Sequence, residues 1–184
     1  MASTERPIPG VEIAGLSVEL ERKLRIGSLR YFDARGPMEA ALRELLGGAL
    51  PQPLKARRYP LGDSPGELIL AWRSPTETLL MTADSRAFAA IASGVARAAA
   101  AGCLVEQTGG LWAWRITGAR TQDLLLRLGS VASIPGLGEA RTSRVAELPA
   151  LVLCVREGQI LLVVERVYSE HLLGWIRETA TDFA

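Results

Sequence analysis

The sequence predicts an α+β fold: two tandem ferredoxin-like βαββα(β) halves, at about residues 24–108 and 111–183, whose antiparallel sheets pack together. Three observations predict it. Two apolar runs, Leu151-Val152-Leu153-Cys154-Val155 and Ile160-Leu161-Leu162-Val163-Val164, flank Arg156-Glu157-Gly158-Gln159, the pattern of a β-hairpin with a glycine-containing loop, and a helix follows. The order strand, helix, hairpin, helix occurs once from residue 24 and again from residue 111, with Thr78-Leu79-Leu80-Met81-Thr82 matching Ile160-Leu161-Leu162-Val163-Val164. Finally, the strands at 68–72, 79–81, 151–155 and 160–164 are apolar at consecutive positions. A sheet with helices on one face alone would alternate, so the second face must also leave water, against the other sheet or a partner.

Residues 1–20 mix proline, glycine and charge, and are expected to form a flexible arm ahead of a single compact domain over 21–184. A first strand covers 24–32. Gly36-Pro37-Met38 opens a helix with Met38, Ala41, Leu42, Leu45 and Leu46 on one face, and Gly47-Gly48 stops it. Pro51, Pro53 and Pro60, together with Lys55, Arg57 and Arg58, make 50–63 a surface connection. A hairpin over 67–72 and 76–82 leads to a helix capped by Asp84 or Ser85, with Phe88, Ile91, Ala92, Val95 and Ala99 as its stripe. Strands follow at 104–108 and 111–117, the second placing Trp112, Trp114 and Ile116 on one face. After Gly118 a helix presents Thr121, Leu124, Leu125 and Leu128, a loop fills 129–142, and the closing hairpin and helix come last. Ser169 is expected to cap that helix, whose stripe is Leu172, Leu173, Ile176, Ala180 and Phe183.

Composition narrows the function. The formal net charge of +1 is spread along the 184 residues, so the basic face needed to bind a phosphate backbone is missing and nucleic acid is not an expected partner. No stretch reaches the roughly 18 apolar residues of a membrane span, and no basic region followed by an apolar core opens the chain, so no membrane contact is expected and the expected location is the cytoplasm. A single histidine and the absence of a Cys-x-x-Cys pair deprive a zinc site of its usual ligands, so no metal is expected. Cys103 and Cys154 lie in apolar segments and read as buried reduced thiols.

Catalytic patterns are equally thin. No serine sits in a Gly-x-Ser-x-Gly elbow, and the only base, His171, stands one helical turn from Trp175. Gly136-Leu137-Gly138 lacks the preceding strand and third glycine of a dinucleotide loop. Trp112 and Trp114 read as core. Trp175 stands just off the apolar stripe of the last helix, beside His171, and aromatic residues so placed are favoured interface anchors. Lys55-Ala56-Arg57-Arg58-Tyr59 is either a solvated loop or a docking surface for an acidic partner. Trp175, His171, Arg57 and Arg58 are therefore the candidate subunit-interface residues.

Several segments resemble the γ subunits of heterotetrameric sarcosine oxidase, which are built like part of the folate-binding domain of the glycine-cleavage T protein. Tyr168-Ser169-Glu170-His171-Leu172-Leu173-Gly174-Trp175-Ile176 resembles their closing helix, and Leu24-Arg25 to Phe32 their opening strand. Leu50-Pro51 with Pro53 resembles their Leu-Pro connection, Ala71-Trp72 to Leu80 their hairpin with an acidic residue at Glu77, and Ile116-Thr117-Gly118 to Leu125 their strand-to-helix turn. The departures fall on chemistry. Glu106-Gln107-Thr108-Gly109 lacks the histidine of the wider family's Asp-x-Ser-His segment, Pro149 and Ala150 stand where catalytic T proteins carry an aspartate, and the Lys-Gly-Cys motif of the iron–sulfur repair proteins is absent. The resemblance implies a non-catalytic γ-type subunit with no cofactor of its own. Flavin, NAD and tetrahydrofolate would sit on larger partner subunits that demethylate sarcosine oxidatively. The alternatives are a stand-alone folate or small-ligand binder using the cleft between the halves and, furthest from the residues, an enzyme of the T-protein type.

Overall fold

A computed structural model describes residues 10–13, 15–33, 36–46, 48–61, 64–98 and 102–183. Expectations for residues 1–9, for Ala99 and for the side chain of Met38 lie outside the described residues. The first part of the chain forms β1 (Val11–Ile13), β2 (Leu16–Leu20), β3 (Arg25–Tyr31), α1 (Pro37–Leu46), β4 (Ala56–Leu61), β5 (Ser64–Ser74), β6 (Glu77–Thr82), α2 (Ser85–Ala98) and β7 (Gly102–Glu106). The second forms β8 (Leu111–Gly118), α3 (Thr121–Leu128), β9 (Glu139–Val145), β10 (Leu148–Arg156), β11 (Gln159–Glu165) and α4 (Ser169–Thr181).

Two antiparallel sheets result, in the orders β4-β5-β6-β3-β7 and β1-β2-β8-β11-β10-β9. Set aside the edge strand β4, and β5-β6-β3-β7 is the split-βαβ order of a ferredoxin-like unit. The second sheet repeats it as β10-β11-β8-β2, with β9 in the place of β4. The duplication expected from the sequence is therefore present, with one change. The closing strand of the first half, β7, follows its own helix. That of the second half, β2, comes from the N-terminus and pairs with β8 through Leu16↔Gly118, Val18↔Ile116 and Leu20↔Trp114.

The expected arm over 1–20 is thus corrected for residues 11–13 and 16–20, which pair as two antiparallel strands with Val11, Leu16 and Val18 buried. The alternating pattern of β2, Leu16-Ser17-Val18-Glu19-Leu20, is the period of a half-buried strand. Gly118, at φ +119°, makes the close approach of these strands possible, since a Cβ there would stand 1.9 Å from the carbonyl oxygen of Gly15. Two more expectations are corrected. The connection over 50–63 contains β4, and the loop over 129–142 contains a 3-10 turn (Val131–Ser133) and the start of β9. Both strands are sheet edges, where one hydrogen-bonded ladder suffices and proline or charge is tolerated; Arg57, Arg58 and Pro60 conceal β4 for that reason.

The sheets stack face to face with helices outside, giving layers α1/α2, sheet, sheet, α3/α4. Ile26, Ile69, Leu79 and Met81 of the first sheet meet Leu151, Leu153, Leu161 and Val163 of the second in one shared core. The outer face of the first sheet packs Leu29, Leu68, Leu70 and Leu80 against Leu42, Phe88, Ile91 and Val95. Val18, Trp114, Ile116, Val152 and Leu162 do the same against Leu124, Leu125, Leu172, Leu173 and Ile176. Consecutive apolar residues are explained directly: successive side chains enter two different cores. Each fully buried Leu or Val contributes roughly 1.5–3 kcal/mol, so both faces matter. Gly27 and Gly94 permit close packing, since a Cβ would strike Leu104 and Phe88 in the first case and Leu45 in the second.

Local expectations fare unevenly. Asp84 caps α2, its Oδ1 accepting from the Arg86 and Ala87 amides at 2.8 and 3.0 Å. Ser169 is not a cap. A 3-10 turn (Arg166–Tyr168) precedes it, so Ser169 enters the helix as its first residue and its hydroxyl is buried without a partner. Cys154 is buried, but Cys103 lies exposed on β7, because that strand is a sheet edge. No described helix is long and apolar enough to cross a membrane.

Candidate functional site

Helix α4 covers the second sheet with Leu172, Leu173, Ile176 and Ala180, and its opposite face carries His171 and Trp175. Four residues apart, these two meet: the Trp175 Nε1 donates to His171 Nε2 at 3.1 Å, with the rings edge to face. His171 Nε2 is therefore an acceptor, and both rings remain exposed, Trp175 by 46%. Tyr168, one turn earlier, and Val167 are exposed as well, which extends the patch along the helix entry. The sequence reading missed Tyr168. The spacing 168, 171, 175 was the available signal, since it puts all three rings on one helical face.

Arg57 and Arg58 lie elsewhere, on edge strand β4 of the other sheet, so the four candidates form two sites. Successive residues face opposite ways. Arg58 pairs with Glu67 of β5 at 3.1 Å, and Glu67 also takes Arg156 of β10 at 2.8 Å, which ties the two sheets together. Arg57 has no ion-pair partner among the described residues. A second seam runs beside it: Lys55 pairs with Glu139 at 3.1 Å, Glu139 with Arg141 at 2.6 Å, and the Ala56 amide donates to the Gly138 carbonyl at 2.9 Å. The Gly136 amide and the Lys55 ammonium hold the Glu139 carboxyl below its ordinary range. Arg58 is thus occupied within the chain, while Arg57 remains available to a partner.

The interior offers little room for a ligand. Where the sheets part, beside Arg73 and Glu165, the cavity between them holds about 50 Å³. A small-molecule pocket runs to about 300–1,000 Å³. The buried carboxylate Glu77, which pairs with the cavity-lining Arg73 at 3.0 Å, is satisfied: the Ser28 hydroxyl also donates to it and Arg30 approaches to 3.7 Å. Such a compensated carboxylate anchors strands instead of moving protons. Among the described residues no three His, Cys, Asp or Glu side chains gather as metal ligands. His171 stands far from this carboxylate in the layer order, on the outermost helix, so no acid–base pair is assembled from the two.

No family model matches the chain, and no curated protein does. The solved structures do. Two ferredoxin-like sheets stacked within helices are shared with the glycine cleavage system aminomethyltransferase T from Bartonella henselae, at TM-score 0.61 and 13% identity over 88% of this chain and 46% of that one. The agreement is higher with a chain of the heterotetrameric sarcosine oxidase from Corynebacterium sp. U-96 in complex with pyrrole 2-carboxylate: TM-score 0.78 and 18% identity, over 94% of this chain and 87% of that one. At these identities what is shared is the fold, and it is the fold the sequence led us to expect.

Proposed function

We propose that this chain is a non-catalytic γ-type subunit of a sarcosine-oxidase-like complex in the cytoplasm, bracing larger subunits that carry the flavin, NAD and tetrahydrofolate. The observation that carries the reading is mutual coverage: the chain matches nearly the whole of an oxidase chain, 87% of it, but only 46% of the transferase. A protein whose working part is its surface also agrees with an inter-sheet cavity of about 50 Å³, which weighs against the free-standing folate or small-ligand binder. Trp175 and Tyr168, with Arg57 on the edge of the other sheet, are the surfaces offered to those partners.

The test is isolation of the tagged chain from its native cell. A large flavin-containing chain should accompany it in fixed ratio and support sarcosine-dependent oxygen uptake, and Trp175→Ala should lose that chain while unfolding at the wild-type urea midpoint. Repeated isolation without a flavoprotein overturns the proposal. Titration with tetrahydrofolate, read by tryptophan fluorescence, should give no change in the isolated chain.

A further inference from the structure

The two sheets are built alike except at one edge. In the second sheet β2, the strand that closes the half, is itself covered on its outer side by β1. In the first sheet the corresponding strand, β7, ends the sheet, and among the described residues no strand pairs with its outer side. β7 pairs inward through Arg30↔Cys103 and Ser28↔Val105, and the Gln107 amide donates to the Ile26 carbonyl at 2.7 Å. That phase turns the N–H and C=O groups of Cys103, Val105 and Gln107 towards β3. It turns those of Gly102, Leu104 and Glu106 outward.

Natural edges are commonly blunted by lysine, proline or a bulge. Gly102-Cys103-Leu104-Val105-Glu106 contains none of these, and Cys103 and Val105 are exposed, Val105 by 41%. The one charge, Glu106, is held along the sheet by Arg25 and by the Thr108 hydroxyl at 2.9 Å. We propose that β7 is a self-association edge: two copies of this chain pair antiparallel through it about a two-fold axis at Leu104, joining their five-stranded sheets.

The strand is complementary to itself in this register. Leu104 meets Leu104 of the second copy and the two exchange both backbone hydrogen bonds. Gly102 meets the second copy's Glu106, so no like charges oppose one another and the carboxylate has room. Cys103 meets the second copy's Val105 in a non-hydrogen-bonded pair, where Cα atoms approach to about 4.5 Å and side chains are closest. The inference is independent of the oxidase reading, since it concerns the isolated chain.

Sedimentation of the full chain over micromolar to millimolar concentrations should show reversible dimerisation. Val105→Lys, on an exposed position, should abolish the dimer without moving the urea midpoint measured at a concentration where the wild-type chain is monomeric. Val105→Cys should place a thiol opposite the native Cys103 of the second copy and give a covalent dimer on mild oxidation, lost in the Cys103→Ser, Val105→Cys double variant. A chain that stays monomeric throughout, a dimer unaffected by Val105→Lys, or a Val105→Cys variant that fails to crosslink through Cys103 overturns the proposal.

Discussion

Removal of residues 1–20 tests whether the N-terminal hairpin belongs to the fold. Deletion strips three buried side chains, Val11, Leu16 and Val18, at 4, 2 and 0% exposure. At roughly 1.5–3 kcal/mol each, the loss is about 5–9 kcal/mol, before counting the ladder that β2 makes with β8. Whole domains are stable by only about 5–15 kcal/mol, so a chain of residues 21–184 should sit at the margin of unfolding. Urea denaturation followed by tryptophan fluorescence is the assay, because Trp114 is fully buried and lies opposite Leu20. The midpoint should collapse, and a synthetic peptide of residues 10–20 added back should restore it by refilling the vacated edge. An unchanged midpoint in the truncated chain would refute the assignment of β2 as the closing strand of the second half.

Three further outcomes follow from the same packing. Gly118→Ala should cost more than about 2 kcal/mol in urea denaturation, since it combines φ +119° with a backbone clash, while Gly15→Ala, with open space at φ +77°, should cost only about 1 kcal/mol. Leu153→Ala empties a fully buried site between the sheets and should destabilise by about 2–5 kcal/mol, against under about 0.5 kcal/mol for the exposed Leu126→Ala. The depressed carboxyls of Glu139, held chiefly by the Gly136 amide, and Glu106, held chiefly by the Thr108 hydroxyl, stabilise the fold above their unfolded value of 4.5. That contribution is lost as pH falls through the lower folded values, so an acid-unfolding curve should flatten in Glu139→Gln, and one that keeps its wild-type slope counts against the Glu139 contacts.

The candidate site was legible only in part. His171 and Trp175 share a helical face by spacing alone, and the structure adds the hydrogen bond between them. Arg57 and Arg58 adjoin in sequence, yet strand alternation sends them to opposite faces and commits Arg58 to Glu67. That divergence follows from β4, which proline and charge hide because an edge strand has no second ladder to satisfy.

Local pattern determined the helices, the two hairpins, the duplication and the stacking of the sheets, because each records a period or an apolar run written into neighbouring residues. Tertiary structure alone decided where the N-terminal hairpin goes, which strands form edges, and which thiol is buried. The physical reason is that pairing between β2 and β8 joins residues about a hundred positions apart, and no local periodicity encodes the partner of a strand.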